Sequence, residues 1–155
     1  MEQLFLCYIF KGLSESQFQL LSEITKEEHI PKGEVLIRED QKAEALFILK
    51  EGKVELLTSV NDSFELPIAI LRNPGDCVGM SSFVAPYKYS LSARCVKDAQ
   101  ILIIKQTALE KLMQKDHKLG CIMMKNIAQH LLARLKETRQ EMRIHFKTFF
   151  QSMHP

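Results

Sequence analysis

One stripe of side chains near the C-terminus limits what this chain can fold into. Met124, Ile127, Leu131, Leu135, Thr138, Met142, Phe146 and Phe149 follow one another at spacings of 3, 4, 4, 3, 4, 4 and 3, and only Thr138 among them is polar. Between Asp116 and Phe150 there is no proline and one glycine, Gly120. A mean spacing of about 3.6 predicts one helix of about 30 residues, about 45 Å long, with a single apolar face. A chain of 155 residues has a prior of one domain at about 150 residues each. One domain of that size cannot cover the whole stripe. The distal part is expected to pack on another chain, as in a dimeric coiled coil; the alternative is a helix folded back onto the body.

The rest of the composition fits an ordered globular unit. Hydrophobic residues make up 46% and charged residues 26%, enough to bury a core without disulfides or metals. A net charge of +2 makes no case for a nucleic-acid binder. Charge is uneven, however: from Lys115 onward eight basic residues face three acids, leaving thirteen basic and sixteen acidic residues elsewhere. The basic segment is read as a solvated helix face. Cys7, Cys77, Cys95 and Cys121 form no CxxC pair, so they are read as small hydrophobes in a reduced, cytoplasmic protein. The apolar run Leu4 to Phe10 is shorter than the roughly 20 residues that span a bilayer, and it lacks a basic flank and a cleavage site. It is expected to form part of a buried helix.

Three zones follow along the chain. The first, to about Glu28, is predicted helical: a short helix from Glu2 to Phe10 ends near Gly12, and Ser14 with Gln17 forms a capping box between Leu13 and Phe18. The second, from about Ile30 to Lys105, reads as strands. Val35 to Ile37 and Phe64 to Leu71 are two. Leu46 to Leu49 and Val54 to Leu57 are expected to flank a hairpin at Lys50-Glu51-Gly52-Lys53. Asn61-Asp62-Ser63 and Asn73-Pro74-Gly75-Asp76 are turns, and Ser90 to Val96 and Gln100 to Ile104 are two further strands separated at Lys97-Asp98. Strands spaced by roughly 8–12 residues suggest a sandwich, barrel or jelly roll. The third zone is helical again, with a capping box at Thr107 and Glu110 and Asp116 as the next cap.

This order of helix, roll, short helix and long helix resembles the cyclic nucleotide-binding domain, in particular the sensor half of the cyclic AMP receptor protein (Crp-Fnr) family of bacterial regulators. The resemblance covers nearly the whole chain. It is carried by Phe10-Lys11-Gly12-Leu13-Ser14, Pro31-Lys32-Gly33-Glu34-Val35-Leu36, Leu46-Phe47-Ile48-Leu49-Lys50-Glu51-Gly52-Lys53-Val54, Pro74-Gly75-Asp76-Cys77-Val78-Gly79 and Ala133-Arg134-Leu135. It implies a mixed α and β fold: an antiparallel β-roll (a jelly roll, or double-stranded β-helix) flanked by N-terminal helices and a long C-terminal helix. The organisation expected is one domain over 1–155, with N-terminal helices to residue 29, the roll over 30–105 and C-terminal helices over 107–150.

In that family a phosphate-binding cassette follows the Gly-Asp turn. A Gly-Glu pair opens a short helix, an Arg follows, backbone N–H groups and the Arg hold the cyclic phosphate, and the Glu holds the ribose. Here Gly79 matches, Met80 stands in place of the Glu, and Tyr89 in place of the Arg. The earlier Gly-Asp pair is replaced by Glu39-Asp40-Gln41. A charge-assisted phosphate contact contributes about 1.5–3 kcal/mol. Losing it together with the ribose contact weakens cyclic AMP or cyclic GMP binding by about 10²- to 10⁴-fold. The resemblance implies a ligand site over Gly79, Met80, Ser81, Ser82, Tyr89 and Ser90; the Ser81 and Ser82 N–H groups are read as an anion site, and Lys88 either as a compensating cation or as a solvated surface lysine. Strand alternation puts Arg94 on the opposite face from Tyr89. Thr138 matches the position where a long-helix hydroxyl meets the bound base, or it is a polar residue tolerated in a helix seam. No cofactor is assigned with certainty.

The family's long helix is its dimer interface and leads into a helix-turn-helix. About five residues follow the helix here, too few for such a module, so direct DNA contact is not expected and a partner protein is expected to take its place. The reading is a homodimeric, small-molecule-sensing regulatory module; the alternative is a dimerisation module that has lost its ligand. An enzyme is not expected. The histidines, His29, His117, His130, His145 and His154, form no His-x-His, four of them lie in the C-terminal zone, and no G-x-S-x-G is present. His130 is read as a hydrogen-bonded core residue. Redox or haem sensing through Cys77 or Cys95 lacks any activating neighbour in the sequence.

Overall fold

The computed structural model describes residues 2–153. Helix α1 (Gln3–Leu6) and a 3-10 turn (Tyr8–Phe10) lead to α2 (Glu15–Glu23). Six strands follow: β1 (Thr25–Ile30), β2 (Val35–Ile37), β3 (Ala45–Asn61), β4 (Phe64–Leu71), β5 (Cys77–Val78) and β6 (Ser92–Lys105). A second 3-10 turn (Met80–Phe83) lies between β5 and β6, and α3 (Gln106–Lys115) and α4 (His117–Met153) close the chain. The pairing is antiparallel throughout, in the order β1-β6-β3-β4, with β2 on β6 and β5 on β3. This is the β-roll that the resemblance implies.

The two long strands divide the interior. Leu46 lies opposite Ile104 and Ile48 opposite Leu102, and all four join Phe10, Leu21, Leu109, Leu119 and Met123 in a core under the helices. Their neighbours Leu49 and Ile101 point the other way, into the roll with Ile37, Val54, Ala93 and Cys95. A strand buried on both faces reads as a continuous apolar run, which is why Leu46 to Leu49 and Ile101 to Ile104 show no polar alternation.

Local chemistry sets the helix starts. Ser14 Oγ accepts the Gln17 N–H and Gln17 Oε1 accepts the Ser14 N–H, the reciprocal capping box. Gln17 then uses its amide to donate to Asp116 Oδ2 at 2.8 Å, while Asp116 Oδ1 accepts the Leu119 N–H at 2.9 Å. These contacts hold the Asp116 carboxyl below its ordinary value, the Gln17 bond first and the Leu119 N–H next. One side chain thus ties the starts of α2 and α4 together. Asn126 adds a second tie, donating to the carbonyls of Ile9 and Lys11.

Four local expectations are corrected. The first helical zone ends at Glu23, where Ser22 and Thr25 hydroxyls bond back to Phe18 and Leu21 carbonyls. The following residues form β1, whose exposed surface gives no apolar pattern. Lys50-Glu51-Gly52-Lys53 is no hairpin but a bulged bend within β3, with register shifts against β6 on both sides of it. A side chain at Gly52 would collide with the Asp98 carbonyl and Ala99, and its φ of +107° suits glycine. Lys97-Asp98 likewise interrupts nothing, since β6 runs through it. Thr107 is inside α3 rather than capping it: the cap position is Lys105 with no side-chain bond, and Glu110 accepts from Gln106 instead.

The long helix exceeds its expected length, at 37 residues. Its first part is held in the core by Leu119, Met123 and Ile127. From Leu131 onward every described residue is exposed.

Candidate functional site

The roll, the β5–β6 connection and the first half of α4 enclose a cavity of about 600 Å³. Ile37 of β2, Leu56 of β3 and Ala69 of β4 supply its floor and one wall. Gly75 to Ser81 form a second wall. Ile127, His130, Leu131 and Arg134 of α4 form the third, with Tyr8 beside them. Residues 127, 130, 131 and 134 fall on one helical face.

Gly79 shapes the second wall. Its φ is +102°, and a Cβ there would sit 2.5 Å from the Ala45 carbonyl oxygen. The same carbonyl accepts the hydroxyl of Tyr89 at 3.1 Å, and that hydroxyl accepts the N–H groups of Glu44 and Ala45, each at 3.1 Å. Tyr89 is buried. Its backbone pairs on both sides, donating to Gln41 and accepting from Asp40. Where the family's Arg would face phosphate, Tyr89 instead fastens the cassette to the start of β3.

Five of the residues singled out in the sequence, Gly79, Met80, Ser81, Tyr89 and Ser90, line this cavity. Three do not. Ser82 is buried with its N–H and its hydroxyl both spent on the Gly79 carbonyl, at 3.0 and 2.7 Å. That N–H is therefore no anion donor, and the 3-10 turn it belongs to is only four residues long. Lys88 is exposed, bridging to Lys42 through the backbone away from the cavity. Thr138 lies beyond the cavity wall, exposed, donating to the Arg134 carbonyl. Arg94 pairs with Glu55 and Glu65 on the outside of the sheet.

Sequence reasoning missed the α4 wall. His130 is half-buried and stacks on Tyr8, ring centroids 4.1 Å apart and planes 15° apart; it is a cavity residue rather than a hydrogen-bonded core one. Burial pushes its imidazole below the ordinary histidine value, the Arg134 charge pushes the same way, and Glu137 opposes them. Since the folded value lies below the unfolded one, stability is fully present above about pH 6.5 and falls as pH drops through the lowered value. Arg134→Gln is expected to move the His130 titration upward in an NMR pH series; no movement would mean the guanidinium does not reach the ring. The signal was present in the stripe, since Ile127 and Leu131 belong to it and His130 and Arg134 lie one position away.

Tyr8 also donates to Met80 Sδ at 3.8 Å, and burial, then the Cys77 sulfur, push its phenol up from its ordinary value. The Cys77 thiol is raised as well, first by its hydrogen bond with the Cys7 thiol and then by burial. Such thiols stay protonated and unreactive. Among the residues lining the cavity, Asp76 is the one carboxylate, and it already accepts the N–H groups of Arg72 and Asn73. Arg134 is the one lining residue with a permanent positive charge. The described residues hold no group of three or more His, Cys, Asp or Glu side chains placed for a metal ion, and no helix long and apolar enough to cross a membrane.

Comparison with known proteins agrees with this architecture. Residues 27–116 match the cyclic nucleotide-binding domain family. The anaerobic regulatory protein of Bacillus subtilis is 29% identical over 120 residues, 77% of this chain and 50% of its own length. The potassium channel AKT2 of rice (Oryza sativa subsp. japonica) is 29% identical over 123 residues, 79% of this chain and 14% of the channel. The chain thus spans half or less of the length of these relatives. Among solved structures, a protein of Geobacter metallireducens GS-15 described as cyclic nucleotide-binding superposes with a TM-score of 0.73 at 33% identity, covering 86% of this chain and 96% of that one. The catabolite activator protein of Thermus thermophilus shares the fold, with a TM-score of 0.74 at 24% identity over 88% of this chain and 62% of that one. The chain belongs to the cyclic nucleotide-binding domain family.

Proposed function

We propose that this chain is a small-molecule-sensing regulatory module rather than an enzyme, working in the cytoplasm as a homodimer through α4 and signalling to a partner protein. The observation that carries the reading is the position of the cavity. Its α4 wall, from Ile127 to Arg134, is where the helix leaves the core and its exposed stripe begins. A ligand there touches the roll, the cassette and the root of the long helix at once. Differential contact with two orientations of α4 is enough to shift their populations.

The distal stripe supports the dimer. Leu131, Leu135, Met142, Phe146 and Phe149 are each about half exposed. From Ile127 onward their spacing is 4, 4, 3, then 4, 4, 3, an 11-residue repeat. That period is close to the natural helical one, so two such helices stay in contact with little supercoiling. Thr138 is the polar member of the seam. Sedimentation equilibrium of the chain tests the reading: a dimer is expected, and a monomer at every concentration would overturn it.

The loss of the cassette Glu and Arg favours a second reading, a dimerisation module without a ligand, because the Tyr89 hydroxyl is fully occupied by backbone. The volume of the cavity beside it favours the first.

A further inference from the structure

The lining of the cavity indicates what it would hold, on the reading that the module senses a small molecule. Its walls are mostly apolar, from Ile37, Leu56 and Ala69 in the roll to Ile127 and Leu131 on α4. Two of its polar groups, Tyr89 and Asp76, are engaged by backbone, and the hydroxyls of Ser81 and Ser90 are uncharged polar groups beside them. The Tyr89 hydroxyl serves Glu44 and Ala45, and the Asp76 carboxylate serves Arg72 and Asn73. Nothing in the lining replaces the carboxylate that would take two ribose hydroxyls. A cyclic nucleotide would bury its ribose hydroxyls without that carboxylate, at a cost, and its phosphate would have Arg134 as its one permanently charged partner.

Two features suit a flat anionic ligand, and both lie at the α4 wall. The Tyr8–His130 pair is a flat aromatic surface. Arg134 keeps only one hydrogen bond through its guanidinium, to Glu137 at 2.8 Å, which leaves most of its five donors available. Its charge acts on His130, so cation and aromatic surface are neighbours. We propose that the cavity takes an aromatic monocarboxylate in place of a cyclic nucleotide, with the ring system among the apolar walls beside Tyr8 and His130 and the carboxylate on Arg134. The volume of about 600 Å³ lies within the roughly 300–1,000 Å³ of small-molecule sites.

The test uses calorimetric titration of the full chain with 2-naphthoate, its neutral methyl ester and cyclic AMP, on the wild type and on Arg134→Gln and Ala69→Phe. Saturable binding of 2-naphthoate is expected, weakened about 10- to 100-fold by Arg134→Gln, the size of one charge-assisted contact. The ester should bind both proteins alike. Ala69→Phe, which fills the cavity from β4, should abolish binding of either. Arg134 is exposed, so its substitution leaves the fold intact. Equal affinity of 2-naphthoate for wild type and Arg134→Gln would overturn the anchor. Saturable cyclic AMP binding with no 2-naphthoate binding would overturn the ligand class and leave the sensing reading standing. Failure of all three compounds at millimolar concentration would overturn both.

Discussion

Replacing Tyr89 by Phe removes one oxygen and is expected to lower stability by about 2–4 kcal/mol, because the buried backbone groups of Ala45 lose its hydroxyl. The hydroxyl closes three bonds at once, to the N–H of Glu44 and to both the N–H and the carbonyl of Ala45. Ala45 is buried, and its carbonyl also packs against Gly79. Unsatisfied groups there cost about 1–3 kcal/mol each, whereas Glu44 is exposed and can turn to water. For a chain of this length that corresponds to a fall in melting temperature of roughly 5–15 °C. Tyr87→Phe is the control, since Tyr87 is exposed and should change little. Equal denaturant midpoints for the two variants would contradict the structural role of Tyr89. The same geometry bears on restoring a phosphate contact. An Arg at this position would lose the hydroxyl's three bonds before meeting any ligand.

The second large effect concerns α4. Leu135→Glu combined with Met142→Glu puts like charges face to face in the seam proposed for the dimer. Buried unpaired charges cost several kcal/mol, so association is expected to weaken by at least about 10³-fold. Both side chains are about half exposed in one chain, so the fold of the chain itself should be untouched. Sedimentation should show a folded monomer with an unchanged circular dichroism spectrum. A double variant that still dimerises as the wild type does would place the interface elsewhere.

What the sequence disclosed depended on the range of the interactions. The capping box at Ser14 and Gln17 and the cap at Asp116 involve neighbours three residues apart and appear where expected, whereas Thr107 and Glu110, equally spaced, form none because α3 starts directly from β6 at Gln106. The bend at Gly52 differs from the expected hairpin because a bulge and a hairpin use the same turn residues. Only the contact with Asp98 and Ala99, more than forty positions away, separates the two. The cassette divides in the same way. That Met80 and Tyr89 stand where the resemblance implies charged residues is legible in the chain, but that Tyr89 is held by Ala45 is not. Nor does the chain disclose that the Ser82 N–H is taken by the Gly79 carbonyl. Of the two readings of Lys88 the exposed lysine holds, since the 87–89 segment pairs with residues 40–43 and leaves its side chain outside. The α4 wall was hidden by the stripe itself, whose proximal members face the cavity while the distal ones are free.

The central claim is that a ligand in the cavity is communicated to the long helix. Hydrogen exchange along α4, measured with and without whichever of 2-naphthoate or cyclic AMP saturates the protein, tests it most directly. Slower exchange across residues 127–138, together with the 77–81 segment, is predicted on binding. A saturated cavity with unchanged exchange along α4 would contradict the claim.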